Sequence, residues 1–363
     1  MQVATILIAP DSFKGSASST QVAQALAQGW LSLRSYDEVI CAPFADGGEG
    51  TLECVESVSA QSIRIPIRVQ GASGVEHDSF WLLVNGDTAV IEMAALCGIT
   101  TLPTLDAMGA HSYGLGQAIS AALDDIRVKE ILISVGGSAS TDAGVGALMA
   151  LGFEILDNNK VPVGKGGQAL LSIAEIVTPS ELVLPDRGIK VLVDVQSPLI
   201  GATGAAHVFA RQKGADSEQI ESLDRGLAHF LSVTGSEDAP GFGAAGGTSC
   251  GLAVLLGAQI VSGVETLASL VGLDEKIRAA DCVITGEGAF DSQSFAGKVV
   301  GHILERAKAH DRMVMIACGV NKNEAAATIV SLVELAPSIE AAMSETSTWL
   351  IECGKVLAER FHH

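Results

Sequence analysis

Basic residues are scarce in this chain: 22 lysines and arginines stand against 42 aspartates and glutamates, a formal net charge of −20 over 363 residues. Such a field repels phosphate backbones and anionic lipid surfaces, which excludes nucleic acid and membrane as default partners. It repels anionic metabolites as well, so an anion site must gather its few cations locally. Lys14, Arg211, Lys213 and Lys298 all lie beside glycines or polar turns and could serve. No apolar run is long enough to span a bilayer, and the N-terminus enters a strand without a basic leader segment; a cytoplasmic protein is expected. The seven cysteines are odd in number, widely spaced and without a CxxC, which points to buried reduced thiols and away from disulfides or zinc. The eight histidines form no HxH or HExxH, which argues against a histidine-based metal site or triad. A GxxxxGK[ST] phosphate loop is absent too.

Glycine and small apolar residues are plentiful instead: 40 glycines, 48% hydrophobic residues and only 4% aromatics. That mixture suits tight strand-to-helix turns and Ala/Leu/Val packing, as in α/β proteins. Five apolar runs end at polar clusters. Thr5–Ala9 meets Asp11-Ser12-Phe13-Lys14-Gly15, and Ile131–Val135 meets Gly136-Gly137-Ser138-Ala139-Ser140-Thr141-Asp142. Ile189–Val193 ends at Asp194, Cys282–Ile284 at Thr285-Gly286-Glu287-Gly288, and Met313–Ala317 at Cys318-Gly319. Runs without polar alternation read as parallel strands buried on both faces, and ligands of such sheets bind past the strands' carboxyl ends.

Residues 62–95 read differently. Ile63, Ile65, Ile67 and Val69 alternate with polar neighbours, and Asn85-Gly86 is a hairpin signal, so an antiparallel meander is expected. The expected fold is therefore α/β in two domains. One is a Rossmann-like parallel-sheet domain built from both termini (1–61 and 275–363). The other is an inserted mixed α/β domain (62–274), with the ownership of 106–150 left open. The site is expected in the cleft between the domains.

The small-polar loop at Gly136, Gly137 and Ser138 can approach a ligand with its backbone and grip oxyanions, while one of Ser140, Thr141 or Asp142 caps the following helix. The only GxGxxG, Gly241–Gly246, follows Asp238-Ala239-Pro240 rather than a buried strand, so the dinucleotide context fails. Gly246 and Gly247 can still line a helix N-terminus facing a phosphate. Three acidic turns, at Asp46-Gly47-Gly48-Glu49, at Asp194 and at Glu287–Asp291, offer the few carboxylates that Mg²⁺ takes beside phosphate oxygens. Asp-Gly turn chemistry alone accounts for one such site more readily than for three. Gly297-Lys298 adds a cation near Asp291.

On these residues the chain resembles the bacterial glycerate kinase family that lacks a P-loop, of the glycerate 2-kinase type. The likeness runs through Ala9–Ser16, Ala45–Thr51, Ala89–Ala94, Ser112–Gly116, Gly136–Asp142, Gln212–Ala215, Gly243–Gly247 and Ile284–Gly288. Departures include Ser140-Thr141-Asp142-Ala143-Gly144 where the family usually has Thr-Asn-Asp-Gly-Gly, and Ala296 where a histidine is commoner. The resemblance implies ATP-dependent phosphorylation of D-glycerate, at the 2-hydroxyl, by a two-domain α/β enzyme using Mg²⁺. Glycerate 3-kinase activity at the same site is the first alternative, and an NAD(P)-dependent hydroxy-acid oxidoreductase the second. The assembly, a homodimer among the options, is left open. In this reading Asp194 or Asp291 is the base, Lys14 balances charge, and Asp46 and Asp291 hold the metal. Gly136, Gly137, Ser138, Asp142, Gly246, Gly247, Glu287 and Lys298 contact the nucleotide.

Overall fold

The buried apolar runs form strands that sort into two main sheets. The computed structural model describes residues 3–295, 298–323 and 327–362. Its strands are β1 (Thr5–Ile8), β2 (Glu38–Cys41), β3 (Ser62–Gln70), β4 (Glu76–Val84), β5 (Thr88–Glu92), β6 (Glu130–Ser134), β7 (Glu154–Leu156), β8 (Glu175–Val177), β9 (Ile189–Leu192), β10 (Gln259–Val261), β11 (Cys282–Phe290), β12 (Met313–Asn321) and β13 (Thr328–Ser331). No helix among the described residues is long and apolar enough to cross a membrane. All seven cysteines are free thiols, six of them buried.

The first unit comprises Met1–Asp46, Glu53–Ala60 and Val264–His363. Its sheet is wholly parallel, in the order β2-β1-β11-β12-β13. Ile6, Ile8, Val22, Leu26, Trp30, Ile284, Met315, Leu350 and Leu357 fill its core. Helix Ser19–Leu33 opens with the Ser18/Gln21 capping box that the sequence spells out. Strands β11 and β12 are longer than their apolar runs. β11 continues past Ile284 through Thr285-Gly286-Glu287-Gly288 to Phe290, paired to β12 as far as Asn321. Glycine is needed there, because a Cβ on Gly286 would lie 2.1 Å from the Ala317 carbonyl oxygen. The polar cluster is therefore part of the strand, and Glu287 is a strand residue.

The second unit comprises Gly47–Leu52 and Gln61–Gly263. It contains residues 106–150, and it takes the turn at 47–52 as well. Its sheet runs β10-β9-β6-β5-β4-β3, parallel from β10 to β5 and antiparallel from β5 to β3. Alternation along β3 leaves one face half exposed, while β5 is buried throughout. The Asn85-Gly86 turn has φ of 53° and 82°, the left-handed pair that a tight hairpin requires. The acidic turn joins this unit through Glu92 at the end of β5. Its carboxylate accepts from Gly50 N at 3.0 Å and Leu52 N at 2.8 Å, at the start of helix Thr51–Val58.

Candidate functional site

In the first unit, β1 ends at Ile8 but its backbone stays tied to β11: Ala9 N donates to Ile284 O at 2.7 Å and Asp11 N to Gly286 O at 2.8 Å. This registry sets Asp11 beside the Gly286-Glu287-Gly288 stretch. A turn follows, closed by paired Phe13 and Ala17 bonds, with Gly15 at φ 82° and Lys14 exposed at its tip. Burial, with Asp46 second, lifts the Asp11 carboxyl from 3.8 to about 6; Ser12 N, Lys14 and Glu287 also act on it. Glu287 is only 6% exposed, and its Oε1 has no hydrogen-bond partner among the described residues. Burial raises its pKa and Asp291 adds to the rise, while a Ser294 hydrogen bond, Lys298 and Lys14 oppose it. Asp291 N in turn donates to Ser294 Oγ at 2.9 Å. Asp11, Lys14, Asp46, Glu287, Asp291 and Lys298 thus form one electrostatically connected group at the carboxyl ends of β1 and β11. Of the residues that the sequence singled out here, Ala296 and Gly297 lie outside the described residues.

In the second unit, the Gly136–Gly144 loop leaves the carboxyl end of β6. Asp142, fully buried, accepts from Ser112 N at 2.9 Å, Ser112 Oγ at 2.8 Å, Gly144 N at 3.2 Å and Gly146 N at 3.1 Å. It binds the start of helix Val145–Ala150 to that of helix Tyr113–Leu123. These four bonds tie its oxygens into the fold. Gly246 and Gly247 pack on this same loop. Gly246 O accepts from Ala143 N at 3.1 Å, and a Cβ on Gly246 would meet Ser140 O at 2.2 Å. The two glycine loops therefore meet each other. Gly136 lies against Gly48, where a Cβ would sit 2.4 Å from its Cα. Ser138 Oγ accepts from Lys213 Nζ at 3.0 Å. Asp194, just past β9, accepts from Ser262 Oγ at 3.0 Å and Gly263 N at 3.1 Å.

Three residues had a weaker signal in the sequence. Asp11 sits inside the Asp11-Ser12-Phe13-Lys14-Gly15 turn, where the lone lysine is the more conspicuous charge. Glu92 is an isolated carboxylate closing an apolar strand. Lys213 is one of the four cations singled out beside glycines or polar turns, with nothing local to set it above the other three.

The glycerate kinase family's sequence profile matches residues 6–362. A glycerate 2-kinase of Escherichia coli K12 is 37% identical over 324 residues, covering 86% of this chain and 84% of its own. A glycerate kinase of Haemophilus influenzae is 37% identical over 323 residues, with 86% and 85% covered. A crystal structure from Salmonella typhimurium LT2, assigned as a glycerate kinase 2, superposes with a TM-score of 0.83 at 33% identity, over 99% of this chain and 98% of that one. The chain is an enzyme of the glycerate kinase family.

Proposed function

We propose that the chain transfers the γ-phosphoryl group of ATP to the 2-hydroxyl of D-glycerate, giving 2-phospho-D-glycerate and ADP. The observation that carries the reading is Glu287: a buried carboxylate with an unpartnered oxygen, set among Asp291, Lys14 and Lys298 at strand ends of a family member. The 2-position rests on the relative in Escherichia coli, which is a glycerate 2-kinase.

Phosphoryl transfer asks a protein mainly for positioning and charge stabilisation. The first unit's oxygens suit a hard cation, and the unpartnered Glu287 Oε1 supports that fit. Among the described residues no three His, Cys, Asp or Glu side chains could hold a metal by themselves, so Mg²⁺ would complete its shell with phosphate and water. Asp46 and Asp291 would hold it, where it would offset charge developing on the transferring group. Lys14 and Lys298 balance the remaining negative charge. Asp194 or Asp291 accepts the proton of the glycerate hydroxyl, and the raised pKa adds Asp11 as a third candidate. The backbone of Gly136 and Gly137, Ser138, and the Gly246-Gly247 turn position the nucleotide.

A coupled assay with enolase identifies the product. Signal with enolase alone is expected; signal only after phosphoglycerate mutase is added would make the chain a 3-kinase. Glycerate-dependent NAD(P)H turnover without ADP release would sink the kinase reading. Asp194→Asn preserves the shape held by Ser262 and Gly263 but removes the carboxylate. It should retain ATP binding and lose turnover by roughly 10²–10⁴-fold. Near-normal turnover would remove Asp194 from the proton-accepting role.

A further inference from the structure

Lys213 lies at the end of the short helical turn Arg211–Lys213, directly after a π-helical turn at Ala206–Ala210. Single π turns often mark functional positions. Gly214, at φ 98°, ends the turn. The lysine is 3% exposed. Its Nζ donates to Ser138 Oγ at 3.0 Å and to the Ser140 carbonyl oxygen, both neutral acceptors. Asp142 bears on it electrostatically, yet that carboxylate is committed to four donors of its own. Burial lowers the lysine's pKa to about 8, so at neutral pH it remains largely a cation. A buried ammonium without an ion pair is costly.

A second observation falls on the same loop. Ser140 Oγ and Thr141 Oγ1 are fully buried and have no hydrogen-bond partner among the described residues. Buried hydroxyls are normally satisfied, so two adjacent exceptions beside an unneutralised lysine need a common explanation. The loop follows β6, a strand flanked by parallel neighbours, at the sheet end where ligands of such folds bind.

We propose that Lys213, with the hydroxyls of Ser138, Ser140 and Thr141, forms an oxyanion-binding site for one of the enzyme's two substrates. This rests on the kinase reading above for the identity of the substrates. The shared chemistry is a compact group of negatively charged oxygens: a phosphoryl group of the nucleotide or the carboxylate of the hydroxy acid. Lys213 supplies charge, and the hydroxyls supply short directional donors.

The test uses the full chain and two variants, Lys213→Met and Thr141→Val. Inorganic phosphate, D-glycerate and Mg-ATP are titrated separately, with calorimetry and thermal unfolding as readouts. Lys213→Met should weaken binding of at least one of them by roughly 10- to 100-fold, the value of a charge-assisted hydrogen bond. Loss confined to Mg-ATP and phosphate identifies phosphoryl oxygens, and loss confined to glycerate identifies the carboxylate. Thr141→Val keeps the side chain's shape and removes a hydroxyl that has no partner. Its unliganded melting temperature should equal or exceed that of the wild type, while the same ligand binds more weakly. A folded Lys213→Met that binds all three like the wild type overturns the site. So does a wild-type chain that binds none of them. If Lys213→Met does not fold, Thr141→Val decides: unchanged affinity for all three ligands overturns the site. Wild-type turnover of glycerate with ATP is read separately, so a failed reaction and a failed site are distinguishable.

Discussion

Asp142→Ala is expected to prevent the second unit from folding, giving insoluble protein or a chain without cooperative thermal unfolding. Four donors, Ser112 N, Ser112 Oγ, Gly144 N and Gly146 N, would lose their acceptor in a fully buried position. Each unsatisfied buried donor costs about 1–3 kcal/mol, so the sum is comparable to the 5–15 kcal/mol by which domains are usually stable. Asp142→Asn keeps the volume but turns part of an acceptor surface into donors that face N–H groups. It should fold with a much lower melting temperature. Circular dichroism and thermal unfolding check both variants. An Asp142→Ala protein that melts normally and has lost only ATP affinity would return this carboxylate to a ligand-binding role.

Asp142 also marks where the sequence becomes ambiguous. A Ser-Thr-Asp run at a strand-to-helix turn reads as a cap, but the N-cap position falls on Gly144, without a side-chain cap bond, and Asp142 reaches Gly144 N and Gly146 N from two residues earlier. What local pattern cannot convey is Ser112, thirty residues earlier, whose backbone and hydroxyl take up the rest of the carboxylate. The two glycine loops have the same limit. Each reads alone as a phosphate cradle, whereas their glycines are needed in part because the loops pack on each other. Features governed by neighbours in sequence were legible: the Ser18/Gln21 box, the Asn85-Gly86 turn and the parallel and antiparallel textures. The length of β11 was not. Gly286 and Gly288 have low strand propensity, and only the close approach of β12 accounts for them. Nothing local marks out Asp11, because its environment is made by burial and by Asp46 and Glu287, distant in the chain.

Asp11→Asn should make the enzyme harder to unfold at pH 7–8 while impairing its turnover. The sign follows from the direction of the shift. Burial and Asp46 hold the folded carboxyl near 6, against 3.8 for an unperturbed one. Between those values the folded chain keeps a proton that the unfolded chain has released, so stability falls as pH rises from about 4 to above 6. The full loss is of order 3 kcal/mol, for a shift of about two pH units at roughly 1.4 kcal/mol each. Asparagine is uncharged throughout. Its advantage in melting temperature should therefore be largest above pH 7 and shrink as pH approaches 4. Turnover responds in the opposite sense. A carboxyl that titrates near neutrality is ionised at working pH and well matched to receive a proton, so a base role for Asp11 predicts a kcat loss of roughly 10²–10⁴-fold. It also predicts that the acidic limb of the wild-type rate profile, near pH 6, disappears in the variant's residual activity. If kcat falls but that limb stays, it belongs to another group. A variant less stable than the wild type at pH 8 would mean that the Ser12 N and Lys14 interactions, which favour the charged form, outweigh burial. Asp11 would then stabilise the turn at β1, and the case for it as a destabilised, proton-accepting group would fall with the sign.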